Sequence, residues 1–337
     1  MIEQGIPQNT SKKKLPEYTV RTARTVMLEL VEEIKTRKQT PEMPTGIPSL
    51  DQLTWGIHRS EVQVVAARTS QGKTTMALQW AINLAIQGKN ILFVSFEMTN
   101  MQVMERILCS HAGISGWDLR RGLIPSDFLE KVSKMNTMIE NLDLFLVDNT
   151  GREFQQIRNI FKSMEKKRIK PDAIFIDYIN LISDDETGDE RLALKRYMGE
   201  LADFAKQFNI AIVVVAQINR GATARKDSEP TLQDLKGSGV LEEIPSTVCL
   251  LHWKRNELDP EATGEFQVIV GKARHGPVGK VALNFNAEYY RYEDTPIPVE
   301  AQSRISSNNG APPNPVIREI IRDITESKTE RQTEVPF

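Results

Sequence analysis

A lysine that follows a glycine and precedes a threonine, between an apolar run and a helical pattern, can hold phosphates. The stretch Ala67-Arg68-Thr69-Ser70-Gln71-Gly72-Lys73-Thr74 has this form, with alanine where the phosphate-loop pattern has its first glycine. Backbone N–H groups of such a turn, and of the helix N-terminus behind it, converge on anionic oxygens. Lys73 brings a charge to β- and γ-phosphates, and the Thr74 hydroxyl can ligate Mg²⁺. Ser70, Gln71, Gly72, Lys73, Thr74 and Thr75 are therefore the candidate nucleotide-binding residues. ATP and Mg²⁺ are the expected cofactors. The competing reading is an ordinary strand-to-helix turn with an incidental lysine, and the flanking pattern argues against it.

A metal held by Thr74 needs a carboxylate at the end of a neighbouring strand. Asp177 ends the apolar run Ala173-Ile174-Phe175-Ile176 and fits that place. Hydrolysis also needs a group that orients or deprotonates water. Glu97 ends Phe93-Val94-Ser95-Phe96; on position alone it suits that task and the task of a helix-start acid equally well. Gln217 ends Ile212-Val213-Val214-Val215-Ala216. An amide there can sense a γ-phosphate and move the loop that follows, but by itself it reads as a loop-start residue bonded to backbone.

These residues need a frame. Strands are expected at residues 61–67, 91–96, 142–147, 173–176 and 211–216, with helices at 74–86, 101–112, 154–167 and 192–208 between them. Near-continuous apolar strands alternating with helices predict an α/β fold with a mostly parallel sheet covered on both faces. After Ser246 strand follows strand, with a turn at His275-Gly276-Pro277, which predicts antiparallel strands at the sheet edge. Before the frame, Val20, Ala23, Met27, Leu30 and Ile34 form an apolar helical stripe, and Pro41, Pro44 and Pro48 read as an extended linker.

Composition excludes several classes. The chain has 337 residues, 40% hydrophobic, enough for one large core. Its net charge of -2 gives no global basic field, so any nucleic-acid contact must come from local loops. No run of eighteen apolar residues predicts a membrane span, and no secretory signal is visible, so a cytoplasmic protein is expected. Cys109 and Cys249 read as reduced core residues. His58, His111, His252 and His275 are dispersed, without zinc-ligand spacing.

Taken together, the motifs resemble the motor domain of DnaB-type replicative helicases. The matching segments are Thr45-Gly46-Ile47 with Leu50-Asp51-Gln52-Leu53, AARTSQGKTT, FVSFEM, IFIDYINLI, VVVAQINR, LKGSGVLEE and VIVGKARHGPVGKVALNFN, in family order over roughly residues 45–292. The resemblance implies a RecA-like nucleoside-triphosphatase fold and a ring-forming, ATP-dependent helicase, a hexamer, moving 5′–3′ on single-stranded DNA. It makes Glu97 the catalytic carboxylate and Gln217 the sensor. It makes Lys272 and Arg274 a basic pair that reaches the neighbouring subunit's nucleotide, where a finger in trans is worth ~10³–10⁵ in rate. Without it, Lys272 and Arg274 read as charges that protect a hairpin edge.

The resemblance also makes Lys236, Gly237, Ser238 and Gly239 the DNA-facing loop, with backbone tracking and little sequence preference. Gly237 departs from the family pattern, standing where an acidic residue is common. A non-contacting surface loop is the alternative.

The expected organisation is a disordered tail at 1–16, a linker helix and linker at 17–44, the motor at 45–295, and a largely disordered tail at 296–337 with a short amphipathic segment from Val316 to Ile324. Only about forty residues precede the motor, so the family's N-terminal collar is not expected. That would suit a phage or mobile element, with the host cytoplasm as location. A helicase loader or other replication proteins are the further partners implied. A RecA-like regulatory or recombination-mediator ATPase, or a helicase-associated adaptor, is the alternative function.

Overall fold

The computed structural model describes residues 21–36, 40–148, 154–177, 179, 190–218, 229–235, 238–253 and 265–295. The chain divides into two units, 1–39 with 303–337 and 40–302, and each is taken by itself. In the first, helix α1 spans Ala23–Thr36. Of its expected stripe, Ala23, Met27, Leu30 and Ile34 are all exposed, and the buried residue of α1 is Val31, which is not part of that stripe. Val20 and the segment 316–324 lie outside the described residues.

The second unit carries a nine-stranded sheet. Its first five strands in the chain are β1 (Val62–Ala67), β2 (Ile91–Ser95), β3 (Leu144–Val147), β4 (Ala173–Asp177) and β5 (Ala211–Gln217). The last four are β6 (Thr247–Trp253), β7 (Phe266–Ala273), β8 (Gly279–Asn286) and β9 (Arg291–Asp294). Spatial order is β3-β2-β4-β5-β1-β6-β7-β8-β9. The central strands are apolar at nearly every position because helices cover both faces. Val65 and Ala67 of β1 join the core on one face, and Val62, Val64 and Ala66 join the core on the other. On the first face lies α3 (Lys73–Ile86), buried along most of its length through Met76, Trp80, Ile82 and Leu84. On the second lie α7 (Phe154–Lys166) and α8 (Glu190–Phe208), where Phe161 meets Phe204 edge to face.

Three findings differ from the sequence reading. First, β6 pairs with β1 in parallel; only β7, β8 and β9 are antiparallel. Strand periodicity reports faces, not direction, so the sequence could not tell them apart. Second, four helices were not expected: α2 (Pro48–Thr54), α5 (Gly116–Arg120), α6 (Phe128–Ile139) and α9 (Ser238–Glu243). Third, the proline-containing stretch from Pro41 is packed rather than extended. Met43 and Ile47 are core residues, Pro48 opens α2, and the Asp51 carboxylate accepts the Thr45 N–H at 2.8 Å. Proline at the first turn of a helix loses nothing, since its N–H would be unpaired there.

No helix among the described residues is long and apolar enough to cross a membrane. Cys109 and Cys249 are buried and unbridged, as expected.

Candidate functional site

Register gathers the chemistry along one edge of the sheet. Ala67 pairs with Gln217, Val215 with Asp177, and Asp177 with Ser95. The C-terminal ends of β1, β5, β4 and β2 therefore lie side by side, and each delivers one of the expected groups.

From β1 the chain enters the phosphate turn. Ser70 and Gly72 have positive φ, 63° and 77°, and Gly72 caps α3. Glycine suits this place for two reasons: the backbone is left-handed, and a Cβ on Gly72 would come within 1.9 Å of the Tyr292 hydroxyl. That hydroxyl donates to the Gly72 carbonyl at 3.2 Å. Gln79 of α3 grips the Tyr292 backbone from both sides, accepting its N–H at 2.8 Å and donating to its carbonyl at 2.7 Å. β9 thus braces the phosphate turn, a part the sequence reading missed.

Lys73 and Thr74 are buried at the start of α3. The Lys73 ammonium lies 3.0 Å from Glu97 Oε2. Glu97 is held on each side: the Phe96 N–H donates to the Asp177 carbonyl at 2.6 Å and the Met98 N–H to Ser95 Oγ at 2.9 Å. Thr99 then caps α4 (Asn100–Ala112) in a reciprocal capping box with Gln102. The carboxylate itself stays about half exposed, open to water and ligand.

Asp177 is fully buried, and among the described residues neither carboxylate oxygen has a hydrogen-bond partner. Burial pushes its pKa up, the nearby Lys73 ammonium and Thr74 hydroxyl pull it down, and the balance is about 6. A buried, unpaired carboxylate beside a hydroxyl is suited to a hard cation. Mg²⁺ takes few protein ligands when phosphates and water supply the rest, so Asp177 and Thr74 fit it.

Gln217, at the end of β5, donates from Nε2 to Thr69 Oγ1 in the phosphate turn at 3.0 Å. The next residue, Ile218, forms an isolated bridge with Leu235. One strand end thus touches both the phosphate turn and the start of the expected DNA loop. Lys236 and Gly237 lie outside the described residues, as does the side chain of Ser238; Gly239 is half-buried in the first turn of α9.

Lys272 and Arg274 are placed apart from this cluster. β7 runs antiparallel to β6, with Ala273 opposite Thr247. The Arg274 N–H donates to the Ser246 carbonyl at 2.9 Å, and the Ser246 N–H donates to that of Val62, the first residue of β1. Arg274 therefore lies at the start of β1, while Lys73 lies beyond its end. A six-residue strand, ~20 Å long, separates them. The Lys272 ammonium donates to the carbonyls of Glu242 and Glu243 at 2.5 and 2.9 Å, capping the C-terminus of α9. Burial and then Arg274 lower its pKa. Arg274 is exposed.

Comparison with known proteins agrees with this frame. A family model described as DnaB-like helicase C terminal domain matches residues 42–294. The Replicative DNA helicase DnaB of Treponema pallidum (strain Nichols) is 32% identical over 283 residues, 81% of this chain and 62% of its own length. A Probable plasmid replicative DNA helicase of Chlamydia psittaci is 32% identical over 248 residues, 73% of this chain and 54% of its own. The chain thus spans somewhat over half the length of these relatives. Among solved structures, one described as an ATPase domain superposes with a TM-score of 0.76 at 25% identity, covering 82% of this chain and all of that one. A DnaB-like replicative helicase, solved in a study of its interactions with primase, gives 0.74 at 26% identity, covering 80% and 68%. With one strand edge holding Lys73, Thr74, Glu97, Asp177 and Gln217, and a family match across the whole sheet, the chain belongs to the DnaB-like helicases through their C-terminal motor domain.

Proposed function

We propose that this chain is an ATP-dependent replicative helicase motor that assembles into a ring, a hexamer, and moves 5′–3′ on single-stranded DNA. The observation that supports the reading is that two groups of residues lie at opposite edges of one sheet. Lys73, Thr74, Glu97, Asp177 and Gln217 stand at the C-terminal strand ends, and Arg274 stands at the other edge. The Arg274 side chain cannot reach the phosphate turn of its own chain across ~20 Å, so the finger assigned to it acts on a second copy.

The residues divide the work. The amides of the turn from Ser70 to Thr75 and the Lys73 ammonium hold the phosphates. Asp177 and Thr74 would hold Mg²⁺, which would supply positive charge beside the phosphates. Phosphate competes with Glu97 for the Lys73 ammonium; once Lys73 turns to the nucleotide, the freed Glu97 carboxylate orients water and accepts its proton. Arg274 of a neighbouring copy stabilises charge on the transferring phosphoryl group, and Lys272 accompanies it when released from α9. Gln217 couples the γ-phosphate to the loop from Leu235 through Ile218, where Lys236, Gly237, Ser238 and Gly239 follow the DNA backbone. A loader and other replication proteins are the expected further partners, met in the cytoplasm.

Strand displacement on forked duplexes with ATP and Mg²⁺, one tail blocked at a time, tests the reading. Displacement that needs a free 5′ tail is expected. Nucleotide hydrolysis without displacement on either fork would favour a regulatory ATPase or adaptor instead. Mixing Arg274→Ala with Lys73→Ala should restore some hydrolysis, because certain interfaces then join an intact phosphate turn to an intact finger. No recovery after confirmed subunit exchange would overturn the shared site.

A further inference from the structure

We propose that Glu61, His275 and His58 form a brace that aims the Arg274 guanidinium, making His275 a positioning residue for hydrolysis in the neighbouring copy. This rests on Arg274 acting in trans as above. The turn after β7 would ordinarily be free to sway, yet three successive residues in it are tied to three different places. The Arg274 N–H donates to the Ser246 carbonyl at 2.9 Å. His275 donates its Nε2–H to Glu61 Oε1 at 2.7 Å. Gly276 lies so close to α2 that a Cβ there would come within 1.9 Å of the Leu53 carbonyl oxygen.

The imidazole of His275 has a second contact. Its ring lies 4.4 Å, centroid to centroid, from that of His58 and is tilted by 45°. His58 is fixed in turn, donating its Nε2–H to the Thr54 carbonyl at 2.8 Å. His275 therefore reaches back to the residue that precedes β1 while its ring rests on His58 beside α2. Glu61 is the anion of the set. Burial pushes its carboxyl up, but the Ser246 hydroxyl and then His275 outweigh this and hold it below the usual carboxylate range. The arrangement fixes the backbone at Arg274 and leaves the guanidinium exposed. Position matters at this spot, since a displacement of about 1 Å can cost ~10²-fold in rate.

The test uses the full chain with ATP, Mg²⁺ and single-stranded DNA, and measures kcat, KM for ATP and ring assembly by light scattering. His275→Ala should lower kcat on the order of ten- to a hundredfold, with KM and assembly unchanged. His275→Gln, which keeps a donor for Glu61, should recover most of the loss. Glu61→Gln, the milder change, should lower kcat a few-fold. In an Arg274→Ala background, His275→Ala should cost nothing more, because the group it aims is gone. Wild-type turnover in both His275→Ala and Glu61→Gln, or an equal further loss from His275→Ala on the Arg274→Ala background, would overturn the brace. Wild-type turnover in Arg274→Ala itself would overturn the finger, and the brace with it. That failure is recognised because it shows in the single Arg274 variant, whatever His275 does.

Discussion

Replacing Asp177 by asparagine should make the nucleotide-free protein more stable while abolishing its chemistry. The carboxylate is fully buried, without a hydrogen-bond partner for either oxygen among the described residues, and its pKa rises from 3.8 to about 6. That rise from 3.8 to about 6 corresponds to about 3 kcal/mol held against the ionised folded state at neutral pH. The sign follows from proton linkage. The folded pKa lies above the unfolded one, so between about pH 4 and 6 the folded protein holds a proton that the unfolded chain has lost. Stability therefore falls as pH rises through that window, and above it the whole cost is present. Asparagine, similar in shape and uncharged, removes that cost.

The assay is thermal unfolding in EDTA, without nucleotide, at protein concentrations below ring assembly. At pH 7.5 Asp177→Asn should melt about 6–12 °C higher, taking ~2–4 °C per kcal/mol for a domain of this size. At pH 4 the gain should have nearly vanished. With saturating ATP and Mg²⁺ the difference should shrink or reverse: ligand at a hundred times its Kd adds ~2.7 kcal/mol to the protein that binds it, and the variant lacks the metal ligand. Phosphate release should fall to background. An apo variant that melts at or below the wild type at pH 7.5, still folded by circular dichroism, would refute the reasoning, because the carboxylate would then already be compensated.

Glu97→Gln should keep nucleotide affinity and lose at least ~10²-fold in turnover, the lower range for a general base; normal phosphate release would dismiss Glu97 as the water-activating group. Tyr292→Phe removes one hydrogen bond to the Gly72 carbonyl, worth ~1 kcal/mol, so nucleotide Kd should rise about fivefold with the fold intact, and unchanged affinity would show that β9 does not brace the turn. Lys236→Ala should weaken single-stranded DNA binding about equally for all sequences and lower the salt slope by roughly one; a sequence-dependent loss in titrations would reassign the loop. Deleting residues 1–40 should break the oligomer and the ATPase together, whereas deleting 300–337 should spare both, as read by light scattering and phosphate release; an active ring from the first truncation would show that the α1 stripe packs within its own chain.

What could be read from the sequence was what is local. The phosphate turn is contiguous, and Asp177, Glu97 and Gln217 each close an apolar run, so a strand end with a polar residue marks them without any knowledge of neighbours. Their meeting depends on the order β2-β4-β5-β1, which local pattern does not encode. The pair Tyr292 and Gly72 lies 220 residues apart, and no periodicity links them. Helix α6 carries a legible stripe, with Phe128, Val132, Met135 and Ile139 at spacings of four, three and four, so its absence from the expected helices has no physical cause in the pattern. α9 is six residues long, too short for a period to show. The prolines before α2 were misread because a proline that opens a helix looks the same in sequence as one in a linker.

The strand directions also constrain how copies must meet. β6 continues the parallel direction of β1, so the reversal into β7 returns the chain to the N-terminal edge, and Arg274 arrives there. The phosphate turn leaves from the opposite edge. Under the proposed assignment, the surface that gives a finger and the surface that receives one are different patches of the same chain. A two-fold dimer can place Arg274 of each copy in the other's site only if both patches lie on one self-complementary face, whereas patches at opposite ends of β1 suit head-to-tail contact. Such contact closes into a ring when the rotation between copies allows and runs on as a filament when it does not. Every copy in a closed ring both gives and receives a finger, whereas an open chain leaves one site at its end without one. Under the proposed assignment, hydrolysis per copy should therefore be highest in closed rings, and the ring would itself complete the catalytic site.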